Sequence, residues 1–398
     1  MNKILLITNI YPLQTPENQG TPVCHFFARD WVKLGYIVVV LHVQAVYPAP
    51  FYWAAKLFQK FIAAKTGAVI YTRRESQAVK YKQEDVTIYR FPCFKWFPHR
   101  SFTRLSLENL KTYFEKQLEG SGFNPDYICA HFPNPMVELL TYFGQKYNAK
   151  TCYVSHGDEE ILRKIYPDYY VLLSKIDVYG FRSEPIKRKF EAMFGKKVRS
   201  FICYSGIPES YISDNEHSFS SDNHFCYLGS LFELKRVQDT LIALHIAFPN
   251  NDFVFDVIGD GQKRSFLEKK SIDLGISSCV HFHGQLSRDE AQEILSQADY
   301  FVMISAHEAF GLVYLEAMGK GLIAVGTKGQ GIDGVIRNGE NGYLCESNNP
   351  EKLAEIINNI TKMPIQEKIR ISKAAKKTVE NLTDIRTAQH YIDSVKYL

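Results

Sequence analysis

Short apolar runs alternate with helical segments along most of this chain, and this alternation restricts the possible fold more than any other feature. Residues 37–41, Ile-Val-Val-Val-Leu, are almost all β-branched, which suits a strand buried on both faces of a parallel sheet. The pattern of residues 23–34 predicts a helix, and Gly35 directly after it is a typical helix terminator. Such alternation predicts parallel sheets with helices on both faces, the α/β class.

The alternation starts a second time near residue 225. Between the two series we predict a linker at 207–224, because residues 210–224 are rich in Ser, Asp, Asn and His and show little apolar periodicity. A length of 398 residues also exceeds what one ordinary core supports. We therefore predict two Rossmann-like, doubly wound domains, residues 1–206 and 225–380, facing each other across a cleft. The last residues, 381–398, are predicted to form a helix that packs back on the first domain.

The second series is predicted element by element. Strands are expected at 225–228, 253–258, 280–282 and 300–304, and helices at 237–247, 263–274 and 287–297. Ser287 with Glu290 has the form of a capping box.

Composition excludes several classes of protein. Hydrophobic residues make up 45% and charged residues 23% of the chain, as in soluble globular proteins. None of the eight cysteines stands at C-x-x-C spacing, so we expect buried reduced thiols and no metal or redox cofactor. No apolar stretch approaches about 18 residues, and the run at 4–7 is too short for a signal peptide. We expect a cytoplasmic protein.

Charge is unevenly distributed. Residues 1–205 hold 28 Lys and Arg against 17 Asp and Glu, whereas the remainder holds 19 against 26. A basic first half favours an anionic partner there. Because no nucleic-acid-binding motif is present, we do not expect nucleic acid to be that partner.

Residues 47–104 interrupt the rhythm of the first domain with 14 aromatic residues, 11 Lys and Arg, and only 3 acidic residues. Residues 51–65 are predicted to form an amphipathic helix, and the two prolines of 91–98 predict an aromatic loop. One interpretation is a helix on an anionic membrane surface, with Trp53 and Trp96 contacting a membrane-bound acceptor. The other is an ordinary surface helix that covers the sheet.

Polar clusters follow the predicted strands directly. Ligands of open parallel sheets bind at the carboxyl ends of strands, so these clusters are the candidate sites. They are 9–20, His131, 156–158, 229–230, 259–261 and 305–311.

Four elements of the second half together resemble the family 4 retaining glycosyltransferases of the GT-B fold, which build bacterial surface polysaccharides. The matching elements are Gly229 with Lys235, Val-Ile-Gly-Asp-Gly at 257–261, Glu308-Ala-Phe-Gly with Glu316, and Asn-Gly-Glu-Asn-Gly-Tyr-Leu at 338–344. The first half matches more loosely, through Gly20, His131 and 156–158. Two positions depart from the family pattern. Ser230 replaces the usual Arg, and 331–334 replaces the usual Pro-Glu pair.

The resemblance implies a donor site with distinct roles for its residues. Lys235 would neutralise the charge that develops on a leaving diphosphate, and Arg236 would compensate for Ser230. The backbone N–H groups of Phe310, Gly311 and Leu312 open a helix, whose N-terminus favours anions. Gly229, Gly259 and Asp260 would line the nucleotide, and Gly20 would allow close approach from the opposite domain.

Carboxylates and histidines would select the sugars. Glu316 would accept hydrogen bonds from both ribose hydroxyls, because a carboxylate accepts with two oxygens. Glu308 would contact the hydroxyls of the transferred sugar, and His131 would lie near the reacting carbon. His156 and Asp158 would contact the acceptor.

Each residue also has a plainer interpretation. Lys235 is alternatively a solvated lysine, and Glu308 and Glu316 are a capping region and a solvated helix face. His131 alternatively donates to a loop carbonyl, and 259–261 forms a tight turn. The joint pattern favours the functional interpretation.

The resemblance implies a metal-independent glycosyltransferase that moves a hexose-type sugar from a nucleotide-diphosphate donor, expected to be a UDP-sugar, with retention. The acceptor is expected to be a glycan or a lipid-linked saccharide at the inner face of the cell membrane, where the enzyme would be peripheral. Two alternatives stay open. One is a nucleotide-sugar epimerase of the same fold, and the other is a degenerate scaffold or binding subunit. Ser230 favours the scaffold, whereas Lys235 and the glutamate pair oppose it.

Overall fold

The computed structural model describes residues 1–12, 22–66, 74–97, 100–157 and 159–398, and for 59–66 it describes the backbone. The described chain forms two compact units. The first contains Met1–Arg182, Ile186–Tyr204 and Asp384–Leu398, and the second contains Ser183–Pro185 and Ser205–Thr383.

Strands and helices alternate through both units. The strands are β1 (Lys3–Thr8), β2 (Ile37–Val46), β3 (Val79–Gln83), β4 (Val86–Phe94), β5 (Tyr127–His131), β6 (Lys150–Ser155), β7 (Val178–Phe181), β8 (Ser200–Ile202), β9 (His224–Leu228), β10 (Val254–Ile258), β11 (Val280–Gly284), β12 (Tyr300–Val302), β13 (Ile323–Thr327) and β14 (Tyr343–Cys345). The helices are α1 (Val23–Lys33), α2 (Ala49–Thr66), α3 (Arg104–Gly120), α4 (Met136–Tyr147), α5 (Glu159–Ile165), α6 (Tyr169–Leu173), α7 (Glu184–Phe194), α8 (Val237–Ala247), α9 (Arg264–Asp273), α10 (Arg288–Gln297), α11 (Leu312–Gly319), α12 (Pro350–Thr361), α13 (Ile365–Glu380) and α14 (Asp384–Tyr397).

The first unit is built on an eight-stranded sheet in the order β3-β4-β2-β1-β5-β6-β7-β8. All neighbouring strands are parallel except β3 and β4, which are antiparallel. The final helix, α14, belongs to this unit. Its Tyr391 ring packs on Trp31 of α1 with ring centroids 5.0 Å apart, and the Trp31 indole N–H donates to the Ala388 carbonyl at 3.0 Å.

The second unit is a six-stranded, wholly parallel sheet in the order β11-β10-β9-β12-β13-β14. The chain builds outward from β9 in one direction and then returns to build outward from β12 in the other. The order therefore reverses between β9 and β12, which is where ligands of such sheets bind.

Several sequence predictions are confirmed. The helix predicted at 237–247 is α8, and the predicted capping box is present, with the Ser287 hydroxyl accepting from the Glu290 N–H. All eight cysteines are free and buried. The helix predicted at 51–65 is α2. No helix within the described ranges combines the length and apolarity needed to cross a bilayer.

The prediction of a loop at 91–98 is wrong for residues 91–94. Residues 91–94 continue β4, and Pro92 lies opposite Gln44 of β2. The antiparallel strand β3 begins opposite Arg90, so among the described residues β4 has one neighbour beyond that point. A proline is tolerated on such an edge because its missing N–H interrupts no second ladder.

Gly35 terminates α1 as predicted. Its φ is +88°, its N–H donates to the Val32 carbonyl at 3.0 Å, and the Tyr36 N–H donates to the Trp31 carbonyl at 3.0 Å. This pair of bonds is a Schellman motif, which requires a left-handed residue at this position.

We predict that Gly35→Ala lowers the free energy of unfolding by about 1–2 kcal/mol, because an L side chain at positive φ is strained. Chemical denaturation measures the change. Gly120→Ala is the matched control, since Gly120 is the last residue of α3 and, like Gly35, has open space around its Cα. The control should change stability by less than about 1 kcal/mol. Equal losses in both variants would contradict the assignment.

Candidate functional site

Two loops meet at the carboxyl edge of the second sheet, where the strand order reverses. The loop after β12 binds the loop after β9 at one carbonyl, that of Leu234. The Ala306 N–H donates to it at 2.8 Å and the Ser305 hydroxyl at 3.0 Å. These bonds hold the two predicted site segments side by side.

Glycines allow the loops after β9 and β10 to touch. A Cβ on Gly259, whose φ is +134°, would lie 1.9 Å from the Gly229 carbonyl oxygen, and a Cβ on Gly261 would lie 2.5 Å from the Leu231 oxygen. The Leu231 N–H in turn donates to the Asp260 carbonyl at 2.9 Å. Close packing of backbone against backbone therefore requires these glycines, whatever they also contact in a ligand.

Lys235 and Glu308, predicted separately for the diphosphate and the sugar, form an ion pair. The Lys235 Nζ lies 2.5 Å from the Glu308 Oε2, and both side chains are mostly buried. Glu308 is also fixed through its backbone, because its N–H donates to the Gln330 side chain at 3.1 Å and its carbonyl accepts from the Gly331 N–H at 2.9 Å.

Gly331 lies in the segment 331–334, where the sequence departs from the family that it resembles. A Cβ at this position would lie 2.3 Å from the Ala309 carbonyl oxygen and 2.4 Å from the Phe310 Cα. The glycine segment 331–334 thus packs directly on the loop that carries Glu308. Sequence analysis assigned no role to this segment or to Gln330.

The N-terminus of α11 faces the same edge of the sheet. Gly311 stands at the N-cap position with a φ of +85° and has no side chain to cap the helix. Uncapped N–H groups and the helix dipole favour an anion at this end. Phe310, Gly311 and Leu312 occupy the positions predicted for them at the start of the helix.

Glu316 lies one turn inside α11 and is buried. The Gln292 amide donates to its Oε2 at 2.7 Å, and an Arg288 nitrogen lies 3.9 Å from its Oε1. Burial raises the pKa of the Glu316 carboxyl, against the lowering effect of Arg288 and Gln292. Sequence analysis missed Gln292 and Arg288. Their positions on α10 gave no signal, because the contact is formed by tertiary packing.

Arg236 is engaged elsewhere. Its guanidinium bonds the Asp239 carboxylate at 2.9 and 3.2 Å and lies 3.7 Å from Glu233, so its charge is already paired within the start of α8. The Ser230 carbonyl accepts from the Tyr227 hydroxyl at 2.9 Å. The Asp260 carboxylate accepts from the Gly261 N–H at 2.7 Å and lies 3.6 Å from Arg264.

His131 of the first unit is fully buried. Its Nδ1 lies 3.0 Å from the His156 Nε2, and its Nε2 lies 3.3 Å from the Tyr391 hydroxyl. Burial, followed by the charge of Arg182, lowers the pKa of His131 to about 3. Burial likewise lowers the pKa of His156, whose ring stacks on Phe132 at 4.0 Å. Both imidazoles are therefore neutral at pH 7.

The remaining predicted residues are either exposed or outside the described part of the chain. Trp53 and Trp96 are largely exposed, at 70% and 60%. Gly20 and Asp158 lie outside the described residues. Among the residues that are described, no three His, Cys, Asp or Glu side chains are grouped to hold a metal ion.

Comparison with known proteins adds a family match and relatives. Residues 211–378 match the family model described as Glycosyl transferases group 1. N-acetyl-alpha-D-glucosaminyl L-malate synthase of Bacillus anthracis is 34% identical over 126 residues, 32% of this chain and 32% of that protein. The lipopolysaccharide core biosynthesis glycosyltransferase LpsE of Rhizobium meliloti is 38% identical over 104 residues, 26% of this chain and 30% of that protein. The matched stretch thus spans about a third of each relative.

The fold is that of the GT-B glycosyltransferases. The crystal structure of HepE of Anabaena in complex with UDP has a TM-score of 0.69 at 15% identity and covers 100% of both chains. Two parallel α/β units of the kind predicted from sequence are present. The family match covers residues 211–378, which lie within the second unit.

We predict that Glu316→Gln stabilises the protein progressively as the pH rises from 4 to 7. The raised pKa means that the folded state disfavours the charged carboxylate, so wild type loses stability as pH rises through that pKa, whereas the amide does not titrate. Denaturation of both proteins across this range measures the difference. Glu293→Gln, an exposed change on α10, controls for removal of one carboxylate. A difference that shrinks with rising pH would contradict the burial effect.

Proposed function

We propose that this protein is a retaining glycosyltransferase that moves a hexose-type sugar from a UDP-sugar to a glycan or lipid-linked acceptor. The observation that carries the proposal is the joint placement of the Lys235–Glu308 pair, the uncapped start of α11 and buried Glu316 at one edge of the second sheet. HepE, of the same fold, has been solved with UDP and with UDP-glucose, which supports this donor class.

The donor would be held by complementary charge. Glu316 would accept from the ribose hydroxyls, and Gln292 would keep its carboxylate oriented by holding Oε2. The diphosphate would lie against Lys235 and the start of α11, both of which favour negative charge. Glu308 would then exchange part of its bond to Lys235 for the hydroxyls of the sugar.

Retention would follow from displacement on one face of the sugar. The acceptor oxygen bonds to the anomeric carbon as the bond to the diphosphate breaks, and the departing diphosphate oxygen takes the acceptor proton. Lys235 stabilises the charge that this departure leaves on the diphosphate. We propose that Lys235 and the helix N-terminus supply the positive charge without a metal ion. His131, being neutral and buried, would position groups by hydrogen bonding.

The setting we propose is surface polysaccharide synthesis at the inner face of the cell membrane. On α2, Trp53, Leu57 and Phe58 are 70%, 62% and 55% exposed and share one face, while Tyr52 and Ala55 on the other face are buried. A basic segment with an exposed aromatic face suits an anionic membrane surface. The relative LpsE acts in lipopolysaccharide core biosynthesis by its name, which supports a lipid-linked acceptor.

We predict that wild type slowly releases nucleotide diphosphate from one member of a panel of UDP- and GDP-sugars in the absence of acceptor. Lys235→Gln should lower kcat/KM for that release by about 10²- to 10³-fold, because it removes charge stabilisation of the leaving group. Glu316→Gln should weaken nucleotide binding about tenfold through loss of charged hydrogen bonds. Coupled detection of free nucleotide and calorimetry measure the two effects.

Lys269→Gln is the control for charge, since Lys269 is exposed on α9. No release from any donor, together with no thermal stabilisation by UDP or GDP, would refute the transferase and favour a scaffold. A product sugar with altered ring configuration would instead identify an epimerase.

A separate prediction concerns the membrane. Wild type should float with anionic vesicles, and the double change Trp53→Ser and Leu57→Ser should abolish flotation by removing the apolar contact. Ile272→Ser is the control, because Ile272 is similarly exposed, at 65%, in the second unit. Flotation of the double variant at the wild-type level would contradict the proposal that α2 binds the membrane.

A further inference from the structure

Lys95, the residue that follows β4, is a buried lysine whose ammonium group has no hydrogen-bond acceptor and no carboxylate partner among the described residues. The residue is 7% exposed. Its backbone N–H donates to the Val46 carbonyl at 2.8 Å, which fixes Lys95 beside the end of β2. Burying an ammonium group without a partner is destabilising, so the position of Lys95 calls for a physical reason.

Lys368 of α13 shows how a lysine buried to the same degree is usually satisfied. It is 8% exposed, but its Nζ donates to the Thr361 carbonyl at 2.8 Å, and the charge of Asp299 favours its charged form. Lys95 has neither kind of support. Burial lowers the pKa of Lys95 to about 8, and only the Cys93 thiol opposes this effect. Lys95 therefore stays mostly charged at pH 7, and no described carboxylate balances its charge.

The Lys95 ammonium group is still open to a ligand from outside. Some buried polar atoms, such as the Arg90 Nε, are fully enclosed without a partner, but the Lys95 Nζ is not one of these enclosed atoms. The Nζ lies over the Phe102 ring, 4.8 Å from its centroid. This cation–π contact replaces part of the lost hydration and leaves the hydrogen atoms of the ammonium group available to an acceptor.

The N-terminus of α3 lies on the same side of β4 as Lys95. Cys93 stands two residues before Lys95 and so points to the same face, and its Sγ lies 3.6 Å from the carbonyl of Ser106 in the first turn of α3. Phe102, which contacts the Lys95 ammonium, immediately precedes the N-cap residue of this helix. The buried ammonium group is thus directed toward the start of α3.

Two N–H groups at the start of α3 have no acceptor among the described residues. The N-cap side chain of Thr103 accepts from the Ser106 N–H at 3.2 Å, which leaves the N–H groups of Arg104 and Leu105 unbonded. The first turn also contains no acidic residue, although a helix N-terminus favours negative charge. We name the Lys95 ammonium and the N–H groups of Arg104 and Leu105 the Lys95 site.

The surroundings of the Lys95 site are positively charged. Residues 86–107 contain no Asp or Glu, and Arg100 and Arg104 are exposed with no ion pair to any described residue. An ammonium group, a helix N-terminus and two arginines all favour an anion. A phosphate group presents more acceptor oxygens than a carboxylate, so it can accept from Lys95 and from both N–H groups together.

Large apolar side chains border the Lys95 site. Trp96, Phe97 and Leu105 are 60%, 66% and 72% exposed, and each is the neighbour in sequence of a residue of the site or belongs to it. A free phosphate ion gains nothing from such side chains. A phosphate that carries acyl chains does, because exposed aromatic and aliphatic groups enter the interfacial layer of a bilayer.

We propose that the Lys95 site binds the headgroup phosphate of a membrane phospholipid, with Trp96, Phe97 and Leu105 in the interfacial layer around it. The inference adds lipid recognition to the membrane setting proposed above and does not depend on sugar transfer. The exposed face of α2 offers apolar contact to any anionic membrane, whereas the Lys95 site distinguishes phosphate from other anionic headgroups.

Lys95→Met tests the proposal, because methionine fits a buried site for an unbranched side chain and carries no charge. The probes are phosphatidylcholine vesicles that contain phosphatidic acid, vesicles of equal negative charge that contain oleic acid, and soluble glycerol 3-phosphate. Wild type should bind the phosphatidic acid vesicles about fivefold to tenfold more tightly than the oleic acid vesicles, and Lys95→Met should lose this preference. The Tm of Lys95→Met should stay equal or rise, because an unpaired buried charge is gone.

Lys368→Met is the matched control, since Lys368 is equally buried but bonded within the second unit. It should keep the preference for phosphatidic acid and lower the Tm. Arg104→Gln, an exposed change, should weaken binding to phosphatidic acid about twofold to fivefold. Equal binding of wild type to both kinds of vesicle, or a preference that persists in Lys95→Met, would overturn the proposal. Glycerol 3-phosphate that binds as tightly as the vesicles would identify a soluble phosphate ligand and overturn the lipid assignment.

Donor hydrolysis without vesicles separates this inference from the proposed function. Lys95→Met should release nucleotide diphosphate at the wild-type rate, because Lys95 is not among the residues of the donor site. Absence of release from wild type would refute the transferase and leave the preference for phosphatidic acid as an independent result. Release at the normal rate without that preference would overturn the lipid site alone.

Discussion

The reversal of strand order between β9 and β12 is the constraint on which the candidate site depends. It brings two loops to one edge of the second sheet, and two bonds to the Leu234 carbonyl join them. Lys235 follows Leu234 directly, and Glu308 follows the joined segment, so main-chain contacts set these two charges opposite each other. A partly exposed ion pair contributes little stability by itself. The backbone therefore organises the pair, which leaves both charges available for exchange with a ligand.

Much of this fold was predictable because local patterns and packing agree. The β-branched run of β2, the terminal Gly35 and the Ser287–Glu290 capping box each specify an element locally, and each is present. The alternation of strands and helices starts twice along the chain, and this repeat predicted two sheets, of which the second is wholly parallel and the first is parallel except for β3. Within the site, Lys235, Glu308, Gly311 and Glu316 were predicted through their order along the chain, and the structure places them in two adjoining loops and one helix.

What sequence could not supply depends on contacts between distant segments. Nothing in the order of residues indicates that Gln292 orients Glu316, or that Arg236 bonds Asp239 instead of facing a ligand. Local sequence rules also gave a wrong prediction where the position of a strand in the sheet determines the structure. Pro92 predicts a loop, yet it lies in β4 because that part of the strand has one neighbour. Likewise, the glycines at 259 and 261 suggested ligand contact, whereas backbone packing already requires them.

The two units differ in the charge of their buried polar groups, and this difference would suit the two substrates of the proposed transferase. In the second unit, a lysine, a helix N-terminus and a buried carboxylate with its own partners create strong local fields, as a charged donor demands. In the first unit, burial keeps His42 and His131 neutral, and Glu75 balances Arg90. These buried groups carry little net charge and would act on a ligand through hydrogen bonds. A buried site built to pair with hydroxyls rejects analogues that lack them, because its own polar groups are then left unpaired. Under the proposed function, donor choice would thus rest on charge and acceptor choice on the geometry of hydrogen bonds.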